Sequence, residues 1–341
     1  MKISQSINKT LSKVIYAGEK PHYPICTIAN VLTIAALMRT SVNAVAGSPN
    51  ADTVFLRCRE GLRFEDVEDI LKKTRPRIKG KVTIAIDGHD EMFYGDKHTK
   101  GVIGTREKAG SYHAFKYLCV KLIDAEKAYF VCLARMENGS VVDAAIDSMK
   151  ELAKAYDIGL VLMDGEFFCG RMLRFLDKMK IHFIIRRRSI KRLLDSVTYG
   201  KAVRCRTREK LRTDRPDTVE AGYCLYRYHG RGGRDFFLAS DIMAKPERLR
   251  KTFKKRWEIE TGFREVNRLK IKTLSKDWRI RMLFYAISMM LYNEWVSARC
   301  AGAGWIRLDE FKRALFTEVR KAVNRLKICF KLRIYPAEVI W

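Results

Sequence analysis

Two short apolar runs each break off at the dipeptide Asp-Gly: "VTIAI" (82–86) before Asp87-Gly88, and "GLVLM" (159–163) before Asp164-Gly165. β-branched apolar runs of this length read as buried strands. In α/β sheets, groups at strand C-termini project into the crevice where ligands bind. One Asp-Gly alone most often just opens a turn; two of them, each closing an apolar strand, favour a convergent pair of carboxylates. A third acid lies in "FKKRWEIETGFREV" (253–266). Helical spacing places Phe253, Arg256, Trp257, Glu260, Arg264 and Asn267 on one broad face. Phe253 and Trp257 are expected to anchor that face on the sheet, with Glu260 flanked by Arg256 and Arg264. Glu258 and Glu265 point elsewhere, as surface charges. Taken alone, such a helix is more often a solvated face of i,i+4 ion pairs.

What acids could do here depends on the partner. The 341 residues include 67 Lys and Arg against 39 Asp and Glu, a net charge of +28. The commonest polyanion to meet such a field is nucleic acid; an anionic membrane surface and a ribosomal contact are the alternatives. Carboxylates facing DNA would repel its phosphates unless a cation sat between them. Hard divalent ions such as Mg²⁺ take oxygen ligands and leave room for a substrate phosphate. Two such ions roughly 3.5–4 Å apart can activate an attacking oxygen and stabilise a leaving one. Holding both usually takes a third acid, and a carboxylate beside arginines stays ionised as a ligand must.

Other chemistries find less support. The nine cysteines are scattered singly without a C-x-x-C pair, and the six histidines have no ligand spacing. Such a set suits reduced core thiols in a cytoplasm rather than disulfides or zinc. "PICTIANVLTIAALM" (24–38) is shorter than the roughly 20 residues of a membrane span and reads as a buried helix. The start, "MKISQSINKTLSKV", has no long apolar core of an export signal.

The elements that must position the acids emerge from the same patterns. Residues 1–78 read as short helices joined by Ser, Asn, Gly and Pro turns, ending in the basic stretch "KKTRPRIKGK". They could form a helix-turn-helix-like module for binding DNA, or a plain helical cap. Residues 79–186 switch to the order β-β-β-α-β-α-β, with "YHAFKYLCVKLI" and "AYFVCLARM" as an antiparallel hairpin. That order predicts an α/β fold, a mixed sheet flanked by helices. Residues 187–244 read as a β-rich insertion, with two strands around a Gly/Arg turn in "GYCLYRYHGRGGRDFFLAS". Residues 245–300 return to helix and carry the third acid, and 301–341 form a C-terminal helical region.

Together "AIDGHD", "VLMDGEF" and "RWEIETGFRE" resemble the three acidic motifs of DDE transposases of prokaryotic insertion sequences, most closely the insertion-sequence family 4 type. Each motif alone is weak; three in order on suitable elements are specific. That group carries Y-x-x-R-x-x-x-E-x-x-x-x-x-x-K on the third-acid helix. The matching positions here are Phe253, Arg256, Glu260 and Asn267, so the arginine and glutamate agree while the tyrosine and lysine do not. "LYNEW" (291–295) resembles a helix that commonly follows, and "DGHDEMFYG" an archaeal-type first motif. The resemblance covers about residues 80–300.

The resemblance implies an RNase H-like catalytic core in which Asp87, Asp164 and Glu260 bind two Mg²⁺ (or Mn²⁺) ions. It implies metal-dependent cleavage of double-stranded DNA at element ends and strand transfer into target DNA, by a protein acting as a homodimer on DNA in a prokaryotic cytoplasm. Arg256 would contact phosphate near the scissile bond. Lys270 or Lys272 could stand in for the missing lysine. Arg264, Arg186, Arg187, Arg188, Arg231 and Arg234 could line the DNA track, although generic surface charge explains the strand-end and turn arginines nearly as well. Asp90, Glu91, Asp96 and Glu166 read as loop and capping residues. Phe253 and Asn267 keep one rival in view, a decayed or domesticated DNA-binding protein; an RNase H-like nuclease without strand transfer is a second rival.

Overall fold

The strand that carries Asp87 outruns its apolar segment. The computed structural model describes residues 3–15, 23–45, 49–61, 64–123, 128–136, 141–187, 197–199, 201–210, 218–229, 235–301 and 306–330. In it β1 spans Lys81–Met92, so Asp87 sits mid-strand rather than at its end. Parallel pairing of β1 with β5 (Asp157–Met163) stops at Ile86↔Met163. Antiparallel pairing with β3 (Ser111–Leu122) continues from Ile84↔Leu122 to Met92↔Ala114. Past Ile86, β1 is therefore hydrogen-bonded on one side only, and a crevice opens on the other, where Asp164 follows β5.

Three parallel strands, β1, β5 and β6 (His182–Arg187), form the middle of a nine-stranded mixed sheet. Ile84, Ala85 and Ile86 are all buried, which requires cover on both sheet faces and explains a continuous apolar run in place of alternation. On one side β3 pairs with β1, and its outer edge is shared by β2 (Ile103–Lys108) and β4 (Phe130–Arg135). The β3–β4 hairpin matches the sequence pattern. The polar strand β2, "IGTREK", lacks the apolar pattern of a buried strand and is additional to the strands read from sequence. Helix α5 (Val141–Ala153) leads into β5, and α6 (Gly170–Met179) makes the crossover that parallel β5 and β6 need.

On the other side β6 pairs with β9 (Asp235–Ser240), then β9 with β8 (Thr218–His229) and β8 with β7 (Ala202–Lys210). The β-rich segment thus extends the core sheet through an unbroken ladder. Strands β8 and β9 are the two read from sequence. β7, rich in Arg and Lys, is the additional one.

The remaining helices bury a second layer. Among α1 (Ile3–Leu11), α2 (Ile25–Leu37), α3 (Ala51–Gly61) and α4 (Phe64–Thr74), α2 is buried at every position from Thr27 to Leu37. After α7 (Pro246–Lys254) and α8 (Trp257–Asn267), the long helix α9 (Trp278–Cys300) is buried without a break from Ile280 to Asn293. A helix apolar all round is a core helix. It packs on α2, α4, α8 and β4, and α10 (Leu308–Phe330) packs on α2. Asn293 joins this layer to the sheet: its amide donates to the Phe130 carbonyl at 2.8 Å, and its carbonyl accepts from the Phe130 N–H at 2.9 Å. No helix among the described residues is long and apolar enough to cross a membrane.

Candidate active site

Register brings the first two acids together. Ile86 and Met163 are partners on parallel strands, so the next residues, Asp87 and Asp164, lie side by side where that ladder ends. Asp164 leaves β5 and precedes a short 3₁₀ turn, Gly165–Phe167. Burial pushes the Asp87 carboxyl up to about 6, against the attraction of Arg256 and reinforced by the charges of Asp164 and Glu166. Its Oδ1 accepts the Gly88 N–H at 2.9 Å.

The third acid arrives on a helix with a break before it. The sequence expectation of one continuous face fails at Lys255 and Arg256. There the backbone hydrogen bonds run from i to i−3: Lys255 to Thr252, Arg256 to Phe253, Glu258 to Lys255 and Ile259 to Arg256. A 3₁₀-type turn advances about 20° more per residue than an α-helix, so roughly four such residues rotate the downstream helix by about 80°. Trp257 consequently faces solvent at 61% exposure and is not an anchor. Helix α8 docks through Ile259, Gly262 and Val266 instead, while Phe253 stays buried on α7. Glu258 and Glu265 are not part of the site: Glu258 is exposed, and Glu265 pairs with Arg268 at 2.8 Å.

The docking of α8 is close. Lys121 on β3 is almost fully buried and donates from Nζ to the Glu258 carbonyl at 2.7 Å, with its ammonium over the rings of Phe130 and Tyr292. A Cβ at Gly262 would lie 2.8 Å from that Nζ and 2.9 Å from the Phe130 ring. Only glycine lets the helix this near the sheet. His89, two residues beyond Asp87 on β1, stacks on Tyr285 of α9 and meets Phe263 of α8. Burial drives its pKa down to about 4, so it is a neutral aromatic spacer.

Arg256 closes the arrangement. Its guanidinium, 7% exposed, donates from Nη1 to Asp87 Oδ2 at 3.2 Å and from Nη2 to Glu260 Oε1 at 2.7 Å. Expected from the sequence to meet phosphate, it bridges two of the three acids. Among the described residues no three Asp, Glu, His or Cys side chains already stand close enough to cage a metal ion. The donor set still fits a hard divalent cation: the groups are carboxylate oxygens, and the crowding of Asp87, Asp164 and Glu166 is the repulsion such an ion relieves.

Glu166 was read as a capping residue, yet its Oε1 lies 3.4 Å from where a Gly88 Cβ would be, beside the acids. Its position two residues after Asp164 was the available signal. Asp87, Asp164 and Glu166 line an open cleft of about 890 Å³ together with Arg186 and Arg187 from the end of β6. Arg187 also lies over the Phe168 ring at 4.2 Å. The cleft contains three cations the sequence reading did not single out: Arg106, Lys108 and Lys116. Lys108 bonds Asp90 at 2.9 Å, giving that acid a counter-ion of its own.

Other expected DNA contacts are placed differently. Arg264 is exposed on α8 and donates to Thr261 Oγ1 at 3.3 Å. Lys270 pairs with buried Glu91 at 2.9 Å and lines a separate cleft with Asn267 and Lys272, so it does not reach the acid group. Arg188, Arg231 and Arg234 lie outside the described residues.

Comparison with known proteins bears on the family and the fold. Residues 78–293 match the family model described as "Transposase DDE domain". An uncharacterized protein of Methanocaldococcus jannaschii is 28% identical over 114 residues, 33% of this chain and 26% of the relative, so the match spans about a quarter of that protein's length. A cryo-EM structure of the piggyBac transposase synaptic complex with hairpin DNA superposes with a TM-score of 0.57 at 16% identity, covering 86% of this chain and 66% of that one. At that identity the likeness concerns the fold: a mixed sheet flanked by helices, as in a transposase nuclease domain.

Proposed function

We propose a function from the premise that this chain belongs to the family of transposase DDE domains. The chain is a DNA transposase of a prokaryotic mobile element, of the insertion-sequence family 4 type. It cleaves DNA at the element's ends and joins those ends to target DNA, acting as a dimer in the cytoplasm. The observation that supports this reading is the pairing of Asp87 with Asp164 where the β1–β5 ladder ends, at the head of a cation-lined cleft, with Arg256 linking Glu260 to Asp87.

Asp87, Asp164 and Glu260 are the residues that would hold two divalent ions, Mg²⁺ or Mn²⁺. When bound, such ions supply Lewis-acid activation of an attacking oxygen and stabilisation of the leaving 3′-oxygen. Asp87 takes part as a carboxylate, which requires loss of the proton that burial favours. Arg256 keeps Asp87 and Glu260 aligned through one rigid guanidinium fork. Arg106, Lys108, Lys116, Arg186 and Arg187 offer the charge to seat phosphates along the cleft. Their contribution predicts binding that falls steeply with salt.

The test uses duplexes from the DNA flanking the gene, where short inverted repeats should bound the reading frame. Asp87→Ala, Asp164→Ala and Glu260→Ala should each abolish divalent-dependent cleavage while leaving duplex binding within a few-fold of wild type. Full cleavage by Asp87→Ala or Glu260→Ala sinks the assignment. Cleavage without joining in single-turnover assays would favour a nuclease. Binding with no divalent-dependent cleavage by the wild type would favour a DNA-binding remnant.

A further inference from the structure

Beyond the acidic cleft, the segment Lys270–Asp277 between α8 and α9 carries the most exposed large apolar side chain among the described residues, Leu274 at 96%. A single exposed leucine needs no explanation. Here the backbone beneath it is held firmly. Buried Arg281 donates from Nε to the Ser275 carbonyl at 2.6 Å and from Nη2 to the Thr273 carbonyl at 3.5 Å, gripping the chain on either side of Leu274. The same guanidinium donates from Nη1 to buried Glu91 at 3.1 Å. Thr273 Oγ1 accepts the Ser275 N–H at 3.0 Å, and Ser275 Oγ accepts the Asp277 N–H at 3.1 Å. Before the apex, Ile271 is fully buried, and the Lys272 N–H donates to the Thr40 carbonyl at 3.0 Å. Both flanks of the apex are fixed while its side chain projects into solvent.

Charge surrounds this apex. Lys272, Lys276 and Arg39 line a cleft of about 630 Å³ with Leu274. Lys270 and Arg281 in the same cleft are already paired with Glu91, which is their common counter-ion. Lys272, Lys276 and Arg39 have no ion pair among the described residues. A rigidly presented apolar tip within a ring of unneutralised cations is complementary to a duplex: cations seat the phosphates, and the tip enters between base steps.

We propose that Leu274 is a wedge that unstacks a base step of bound double-stranded DNA, with Lys272, Lys276 and Arg39 gripping the backbone on either side of it. Glu91, which anchors the wedge through Arg281, lies four residues beyond Asp87 on β1, about 13 Å along the strand. The anchor of the wedge and the acidic cleft are thus built on the same strand. The proposal rests on the reading that this chain acts on DNA, but not on its cleaving it.

The test is fluorescence of duplexes carrying an adenine analogue that brightens on unstacking, bound to the full-length protein in chelator so that no cleavage occurs. Wild type should brighten the analogue at one or two adjacent steps. Leu274→Ala should remove the signal with binding changed by less than about threefold, and Leu274→Met should restore it. The double change Lys272→Gln and Lys276→Gln should lower the salt slope of log Kd by about 2, near 0.9 per lost phosphate contact. No brightening at any step, or brightening that survives Leu274→Ala and Leu274→Asp, overturns the wedge. So does a Leu274→Asp protein whose one defect, by sedimentation, is loss of self-association, because that outcome makes Leu274 a contact between copies of this chain. Failure of the cleavage reading shows separately, as active Asp87→Ala protein with the unstacking signal unchanged.

Discussion

Arg256 and Asp87, 169 residues apart, meet at 3.2 Å, and the same guanidinium holds Glu260 at 2.7 Å. One buried cation thus ties β1 to the start of α8 and neutralises acids that would otherwise repel. Removing it leaves a largely buried carboxylate without its partner, a change that costs about 3 kcal/mol. Arg256→Ala should therefore melt well below wild type without divalent ions. Added Mg²⁺ or Mn²⁺ should raise the melting temperature of Arg256→Ala more than that of wild type, because the ion then supplies the missing positive charge. Equal metal-induced shifts in the two proteins, read by differential scanning fluorimetry, would mean that Arg256 and the ions do not act on the same carboxylates.

Much of this site could be read from the sequence because it depends on local pattern. Apolar runs ending in Asp-Gly located β5 and the buried half of β1, and parallel register then forces Asp87 beside Asp164. The path of α8 was not legible. Its orientation depends on a few i to i−3 hydrogen bonds at Lys255 and Arg256, which no residue type announces, and that tightening turns Trp257 outward. The partners of Arg256 and Lys270 were hidden for a related reason. Whether an arginine or lysine meets phosphate or a buried acid depends on tertiary contacts such as Lys270 with Glu91. Strands β2 and β7 are polar edge strands that pair through backbone, so hydrophobic periodicity says little about them.

Asp87 should reveal its burial through stability. Its carboxyl titrates near 6 when folded against an ordinary 3.8, so the folded protein holds a proton that the unfolded chain has released. Stability of the metal-free protein from this group is full below about pH 4 and is lost as pH rises through about 6. Asp87→Asn removes the charge, so near pH 7 it should be more stable than wild type by roughly 2–3 kcal/mol. The advantage should shrink towards zero below about pH 4, and cleavage should be absent throughout. Urea titrations at the two pH values check the difference; an Asp87→Asn protein less stable near pH 7 would contradict the burial penalty.

Gly262 sets how close Glu260 comes to the sheet. In an exposed helix, Gly→Ala gains about 1 kcal/mol from propensity. At this position the new methyl would stand 2.9 Å from the Phe130 ring, which is fully buried and whose backbone is bound by Asn293. The ring has nowhere to go, so α8 must lift. Gly262→Ala should lose about 1–3 kcal/mol and cleave at least tenfold more slowly, since Glu260 moves with its helix. A more stable and fully active Gly262→Ala would show that the contact relaxes freely.

Lys121 offers a pH signature from the opposite side of that helix contact. Burial lowers its pKa to about 8 from 10.5, opposed by the charge of Glu258. Below about pH 8 the lysine is charged in both states and the folded protein bears the full cost of burying it. Between about 8 and 10 the folded protein can release a proton that the unfolded chain keeps, so this group's contribution becomes more favourable as pH rises. Lys121→Met keeps the length of the side chain, removes the charge and leaves the Glu258 carbonyl without its donor. Its stability relative to wild type should be greatest near neutral pH and decline by about 2–3 kcal/mol as pH climbs past 10. Chemical denaturation of both proteins across that range measures the trend. A difference that stays flat with pH would mean that Lys121 keeps an ordinary lysine pKa in the folded protein, so that its burial imposes no penalty on the charge.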